Sequence, residues 1–324
     1  MRRPMRTRLA CGVAAAVLSA ALGAGGAGGA SSGATSAATP SVPAVGVRTL
    51  RLVDRSRLAR PLRGAPRPRV LETILRYPAH GPAGAFDLPD AGALGGEHPL
   101  VVFAHGFDVT PAVYSRVLRA WAQAGYVVAA PVFPLERSGA PGGADEADLV
   151  NEPADISFVI SQLLAASAAP VGQLSGLIDP TEIAVAGQSD GAEAALAAAY
   201  ARRLRDTRVR AALILSGAEM SGIGGYAFAA GEPPLLAAQG TADTTNEPHY
   251  TYAYFRAARR PKYLLRLLGA GHLPPYTSAQ PWLGIVERSS IAFLDAYLRG
   301  SAAARPRLGE LANVPGEAAL SAEP

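Results

Sequence analysis

Between residues 100 and 268, six short runs (100–104, 126–130, 183–186, 211–215, 235–238 and 263–268) are apolar on both faces, and longer segments of helical character separate them. A strand buried on both faces reads this way, and strands covered by helices on both sides belong to parallel sheets. The intervening helix candidates are 111–124, 152–168, 192–204, 247–258 and 282–299. In the last of these, Leu283, Val286, Ile291, Leu294 and Leu298 share one arc of a 3.6-residue wheel, so the helix has a face to lay on a sheet. The alternation predicts an α/β fold with a mainly parallel, doubly wound sheet. Functional residues in such a sheet lie in loops at the carboxyl ends of the strands.

Ahead of this region, 45–57 and 70–77 interleave β-branched residues and Leu with Arg, Glu and Thr, the pattern of antiparallel strands with one wet face. A Gly/Pro-rich loop over 78–99 separates them from the first parallel run. The first residues carry four Arg, then an apolar Ala/Val/Leu stretch, then small residues, which is the layout of a secretory signal. The expected organisation is a signal peptide over 1–38, a linker over 39–44, a catalytic domain over 45–300 and an Ala/Pro-rich tail over 301–324. Cleavage of the signal removes Cys11, the single Cys, so the mature protein is expected to work outside the cell without a disulfide. No stable membrane insertion is expected after cleavage, because the Gly-rich second half of the apolar stretch makes a poor spanning helix.

The net charge of +4 hides an uneven distribution: residues up to 69 hold twelve Arg and one acid. Without the four Arg of the signal, bases and acids balance, which removes the case for a nucleic-acid partner. The eight Arg between Arg48 and Arg69 are expected to form a solvated face. The same holds for the acidic stretch 145–155, whose spacing matches no calcium loop.

The chemistry concentrates in three places. Gly187-Gln188-Ser189-Asp190-Gly191 lies between the run 183–186 and an Ala-rich helix, the setting that a G-x-S-x-G turn requires. A serine hydroxyl is a poor nucleophile unless a tight turn presents it to a base, and the glycines let strand and helix approach closely enough for that turn. His272 ends the run 263–268, where a general base can reach the serine. His80, His98 and His249 have no such placement. Asp243 follows the run 235–238 directly and can orient the imidazole; Glu247, four residues on, is the second choice. His105-Gly106-Phe107 closes the run 100–104, so the backbone N–H groups of Phe107 and Asp190 can form an oxyanion hole. His105 precedes the nucleophile and is expected to shape that loop. A carboxylate at Asp190 would oppose the oxyanion unless it points away or is paired.

With Ser189, Asp243 and His272 in this chain order, residues 70–300 resemble the α/β-hydrolase superfamily. The His-Gly-Phe strand end and the Asp-Pro-Thr-Glu lead-in before Ile183 are similar to secreted bacterial lipases, cutinase-like polyester hydrolases and dienelactone-hydrolase/chlorophyllase-like esterases. The resemblance implies the α/β-hydrolase fold and a secreted serine hydrolase that cleaves carboxylic esters through an acyl-enzyme. It implies no metal and no organic cofactor. An amidase or acyltransferase using the same triad, and a non-catalytic surface module, are the alternatives.

The connection 216–234 is too short for a large cap domain, so an open site is expected. Met220, Ile223, Tyr226 and Phe228 in that connection, with Leu273, Pro274, Pro275, Tyr276 and Trp282 after the histidine, are candidate walls of an acyl groove. The expected partner is a small-molecule, lipid or polyester ester, and the expected state is a monomer.

Overall fold

In the computed structural model the placement of residues 42–217, 223, 225–229 and 231–324 is described. The expected signal segment and Met220 lie outside the described residues. The strands are β1 (Ala44–Ala59), β2 (Arg67–Ala79), β3 (Leu88–Pro89), β4 (His98–Ala104), β5 (Val127–Val132), β6 (Ile178–Gln188), β7 (Val209–Leu215), β8 (Leu235–Gly240), β9 (Lys262–Leu267) and β10 (Ala318–Glu323). The helices are α1 (Ser115–Gln123), α2 (Glu152–Ala168), α3 (Asp190–Tyr200), α4 (Pro248–Ala257), α5 (Pro274–Thr277), α6 (Trp282–Tyr297) and α7 (Ala304–Ala312). Short 3-10 turns cover Pro111–Tyr114 and Glu146–Asn151.

All the described strands join one sheet in the order β10-β9-β8-β7-β6-β4-β5-β2-β1-β3. The central strands β5, β4, β6, β7, β8 and β9 run parallel, while β2 joins β5 and β1 joins β2 antiparallel. The α/β class, the mainly parallel sheet and the antiparallel N-terminal strands are therefore as expected, and the arrangement is compatible with the α/β-hydrolase fold.

Alternation along β4 shows why residues 100–104 are apolar throughout. Leu100, Val102 and Ala104 face one core with Ile156, Val159 and Leu163 of α2 and the Ala face of α3. Val101 and Phe103 face the other, with Trp121 of α1 and Leu283, Ile285 and Phe293 of α6. A polar side chain at any of these positions would be buried without a partner.

Residues 301–324 depart from expectation. The compact unit runs Ser41–Pro324, and the supposed tail supplies α7 and the edge strand β10, which pairs antiparallel with β9 from Ala318↔Leu267 to Glu323↔Lys262. Leu308 and Ala312 complete the core on the α6 side. Composition misled because Ala carries no pattern on its own; the apolar spacing of Ala304, Leu308 and Ala312 is the helical signal.

Of the charged stretches, Arg51, Arg55, Arg60, Arg63, Arg67 and Glu146 are exposed as expected, but others are buried. Arg69 shares the inward face of β2 with Leu71, Leu75 and Tyr77, and its guanidinium is buried. It binds Asp148 through two 2.8 Å hydrogen bonds, and Asp155 from Nε at 2.9 Å and Nη2 at 2.5 Å. Arg57 reaches Asp155 at 2.7 Å and Asp54 at 2.6 Å. The acids at 148, 152 and 155 are buried as well. These charges, about 80 residues apart in sequence, clamp the N-terminal hairpin to the start of α2.

Candidate active site

The turn at Ser189 is set by what its glycines avoid. A Cβ at Gly187 would lie 1.9 Å from the Gly191 carbonyl oxygen, and one at Gly191 would lie 2.2 Å from that of Ala104. With both absent, α3 closes onto β6 and β4 and forces Ser189 to φ 57° and ψ −126°, a backbone region that non-glycine residues avoid. The strain lifts the hydroxyl above the carboxyl end of the sheet.

His272 and Asp243 arrive from the neighbouring strand ends β9 and β8. His272 Nε2 lies 3.0 Å from Ser189 Oγ, and its Nδ1 lies 2.9 Å from Asp243 Oδ2. A carboxylate only accepts, so the ring proton sits on Nδ1 and leaves Nε2 free to accept from the serine. The Asp243 carboxylate is saturated with donors. Oδ1 accepts the amides of Thr245 and Asn246, each at 2.9 Å, and Oδ2 accepts Gln239 Nε2 at 3.1 Å besides the imidazole. Burial alone would raise this carboxyl, but the His272 and Asn246 hydrogen bonds outweigh it and hold the group below the ordinary range. Glu247, the second-choice acid, is exposed and faces His249 instead.

Three further residues position this set, and sequence reasoning missed them. Gln188 Nε2 lies 3.2 Å from His272 Nε2 and 3.4 Å from the His272 carbonyl. Its Oε1 accepts the Tyr114 hydroxyl at 2.7 Å, which in turn accepts the Gly106 amide at 3.3 Å. Asn246 Nδ2 reaches Ser189 Oγ at 3.4 Å and the Ser216 carbonyl at 2.8 Å. Gln188 occupies the variable position of the G-x-S-x-G pattern, which marks its place but not its partner.

The loop after β4 supplies the other side of the site. Among the described residues the Phe107 amide has no protein acceptor, while Asp190 opens α3, where amides lack an intrahelical acceptor. His105 is fully buried. Its Nδ1–H donates to the Gly106 carbonyl at 2.8 Å and its Nε2 accepts the Phe133 amide at 3.1 Å, which locks the loop to the end of β5. Burial lowers its pKa to about 4, so the ring stays neutral as these bonds require.

The expected groove residues do not assemble as a group. Tyr226 bridges to Ala201, and Phe228 packs on Tyr200 at 4.9 Å. Both sit at the far end of α3, roughly 16 Å from Ser189 at 1.5 Å per residue. Tyr276 is buried, with its hydroxyl 2.9 Å from Ser216 Oγ and 3.2 Å from the Ala238 carbonyl. Trp282 packs half-buried against the α6 core. Leu273, beside the histidine, is half-buried. The exposed apolar side chains of this rim are Phe107 and Val113, on the loop that follows β4. The expectation used Phe107 for its amide alone.

No group of three or more His, Cys, Asp or Glu among the described residues is placed to hold a metal ion. No described helix is long and apolar enough to cross a membrane. Residues 90–219 match the chlorophyllase family model, a family of α/β-hydrolase type, and the match suggests ester cleavage. The matched stretch contains β4, the Phe107 loop and the Ser189 turn, and ends before Asp243 and His272. No curated protein matches the chain.

Proposed function

We propose that the protein is a secreted serine hydrolase that cleaves carboxylic esters through an acyl-enzyme. Ser189 Oγ attacks the ester carbonyl as His272 Nε2 takes its proton, and Asp243 holds the imidazole and stabilises its charged form. The amides of Phe107 and Asp190 receive the oxyanion as its charge develops. Collapse expels the alcohol with the proton from His272. A water activated by the same imidazole then releases the acid. Export rests on the N-terminal layout of basic, apolar and small residues, and preference for an apolar acyl group rests on Phe107, Val113 and Leu273.

The observation that carries this reading is the continuous chain Asp243–His272–Ser189, at 2.9 and 3.0 Å, ending on a strained nucleophile turn. Substitution Ser189→Ala should abolish turnover of a short-chain nitrophenyl ester and leave the circular-dichroism spectrum unchanged. Turnover within tenfold of the unsubstituted protein would refute the nucleophile. A rate profile over acyl chain lengths, with a triglyceride emulsion and an insoluble polyester, would define the ester class.

A further inference from the structure

Glu136 lies in the loop after β5, with its backbone against the residue after Phe107 and its side chain towards Asp190. Its backbone carbonyl accepts the amide of Asp108 at 2.9 Å, fixing the residue after Phe107, where φ is 51°. Its carboxyl faces those of Asp190 on one side and Glu152 on the other. Glu136 and Glu152 are fully buried, and none of their four carboxyl oxygens receives an N–H or hydroxyl donor. Two carboxyls without donors can share a hydrogen bond only if one carries a proton. Arg69 is committed to Asp148 and Asp155.

The Asp190 carboxyl has competing partners: Glu136, the Ser189 side chain and its own amide, one of the two oxyanion donors. Resting on that assignment of the oxyanion hole, we propose that Glu136, carrying a proton, is a positioning residue. It donates to the Asp190 carboxylate, draws it off the Asp190 amide and leaves that N–H free for the oxyanion. Glu152 sits behind Glu136 and keeps the proton in place.

The groups facing this chain fit the assignment. Glu136 meets Glu152 and Asp148 from the α2 end, Asp190 from α3, and the Tyr114 hydroxyl. Asp155 faces Glu152, and Glu146 and His272 face Asp190. Burial first, then the surrounding carboxylates, pushes Glu136 up to about 9 and raises Glu152 well above the ordinary carboxyl range. Asp190 is raised by burial, while the neighbouring Glu136 carboxyl pulls it back. The proton therefore stays on Glu136 at neutral pH. Once Glu136 ionises, repulsion sends the Asp190 carboxylate back towards its own amide.

Two readouts test this. Glu136→Leu should lower kcat for the nitrophenyl ester about tenfold at neutral pH with KM within twofold, and Glu136→Gln, which keeps a donor, should restore most of it. The unsubstituted protein should lose kcat as pH rises past about 9, and the Gln variant should lack that fall. An alkaline fall of the same midpoint in Glu136→Gln, or Gln and Leu variants equally impaired at neutral pH, would overturn the proposal. Infrared difference spectra supply a readout independent of turnover. A protonated-carboxyl C=O band should be present at neutral pH and lose intensity in Glu136→Gln, and its absence would refute the protonated pair even if no ester were hydrolysed. Loss of ester hydrolysis with the band intact would instead strike the serine-hydrolase reading.

Discussion

Two buried acidic regions flank the Ser189 turn and solve opposite problems. Asp243 is surrounded by donors and is held ionised. Glu136 and Glu152, on the other side, receive no N–H or hydroxyl donor and are held neutral by burial. A third acidic pair, Asp148 and Asp155, is neutralised by Arg69. Burial alone therefore does not decide what a carboxyl does: the donors that reach it do. In the proposed mechanism, a negative charge lies where an imidazolium is to be stabilised, and a proton is kept where an oxyanion is to form.

The largest expected effect comes from removing the charge of the donor-rich side. Asp243→Asn should lower kcat by about 10³-fold or more, because the imidazole loses both its orienting acceptor and the stabilisation of its charged form. A loss below tenfold in the nitrophenyl-ester assay would break the contrast. Next, Arg69→Met leaves Asp148 buried without a cation and Asp155 with Arg57 alone. Urea unfolding should show a loss of about 3–5 kcal/mol, and a loss under about 1 kcal/mol would show the clamp to be incidental.

The two sides should also respond oppositely to pH. Asp243, depressed in the fold, contributes stability that is present above the unfolded carboxylate pKa and is lost as pH falls through the folded value. Glu136, raised in the fold, binds a proton that the unfolded chain has released, so its contribution declines as pH rises from the unfolded value near 4.5 towards about 9. Glu136→Gln should therefore stabilise the protein clearly at pH 8 and hardly at all at pH 4, read from urea midpoints. Equal shifts at both pH values would contradict the assignment. The smallest effect is expected at Gln188. Gln188→Met removes the link between Tyr114 and His272 and should cost about tenfold in kcat, in line with the loss of one or two buried hydrogen bonds.

Much of the frame was legible because parallel strands and their helices impose strict patterns. Glu152–Ala168 has the predicted bounds, and the Ser189 turn is announced by its glycines and its strand and helix. The three side chains of the chain Asp243–His272–Ser189 were legible for the same reason, since each ends a readable strand. What was hidden depends on contacts distant in sequence. Arg69 and Asp148 read as solvated when taken within their own charge runs, yet the alternation Arg69, Leu71, Leu75, Tyr77 points one way and Glu152, Asp155, Ile156, Val159 share one helix face. The groove residues failed differently. Aromatic character marks both a substrate wall and a core filler, and Tyr226, Phe228 and Tyr276 proved to be the latter.

The most direct test of the central claim is covalent. After reaction with a fluorophosphonate, intact-mass analysis and peptide mapping should show a single adduct on Ser189, formed far more slowly in His272→Ala. No adduct, an adduct on another residue, or equal labelling rates with and without the imidazole would contradict the assignment of this site.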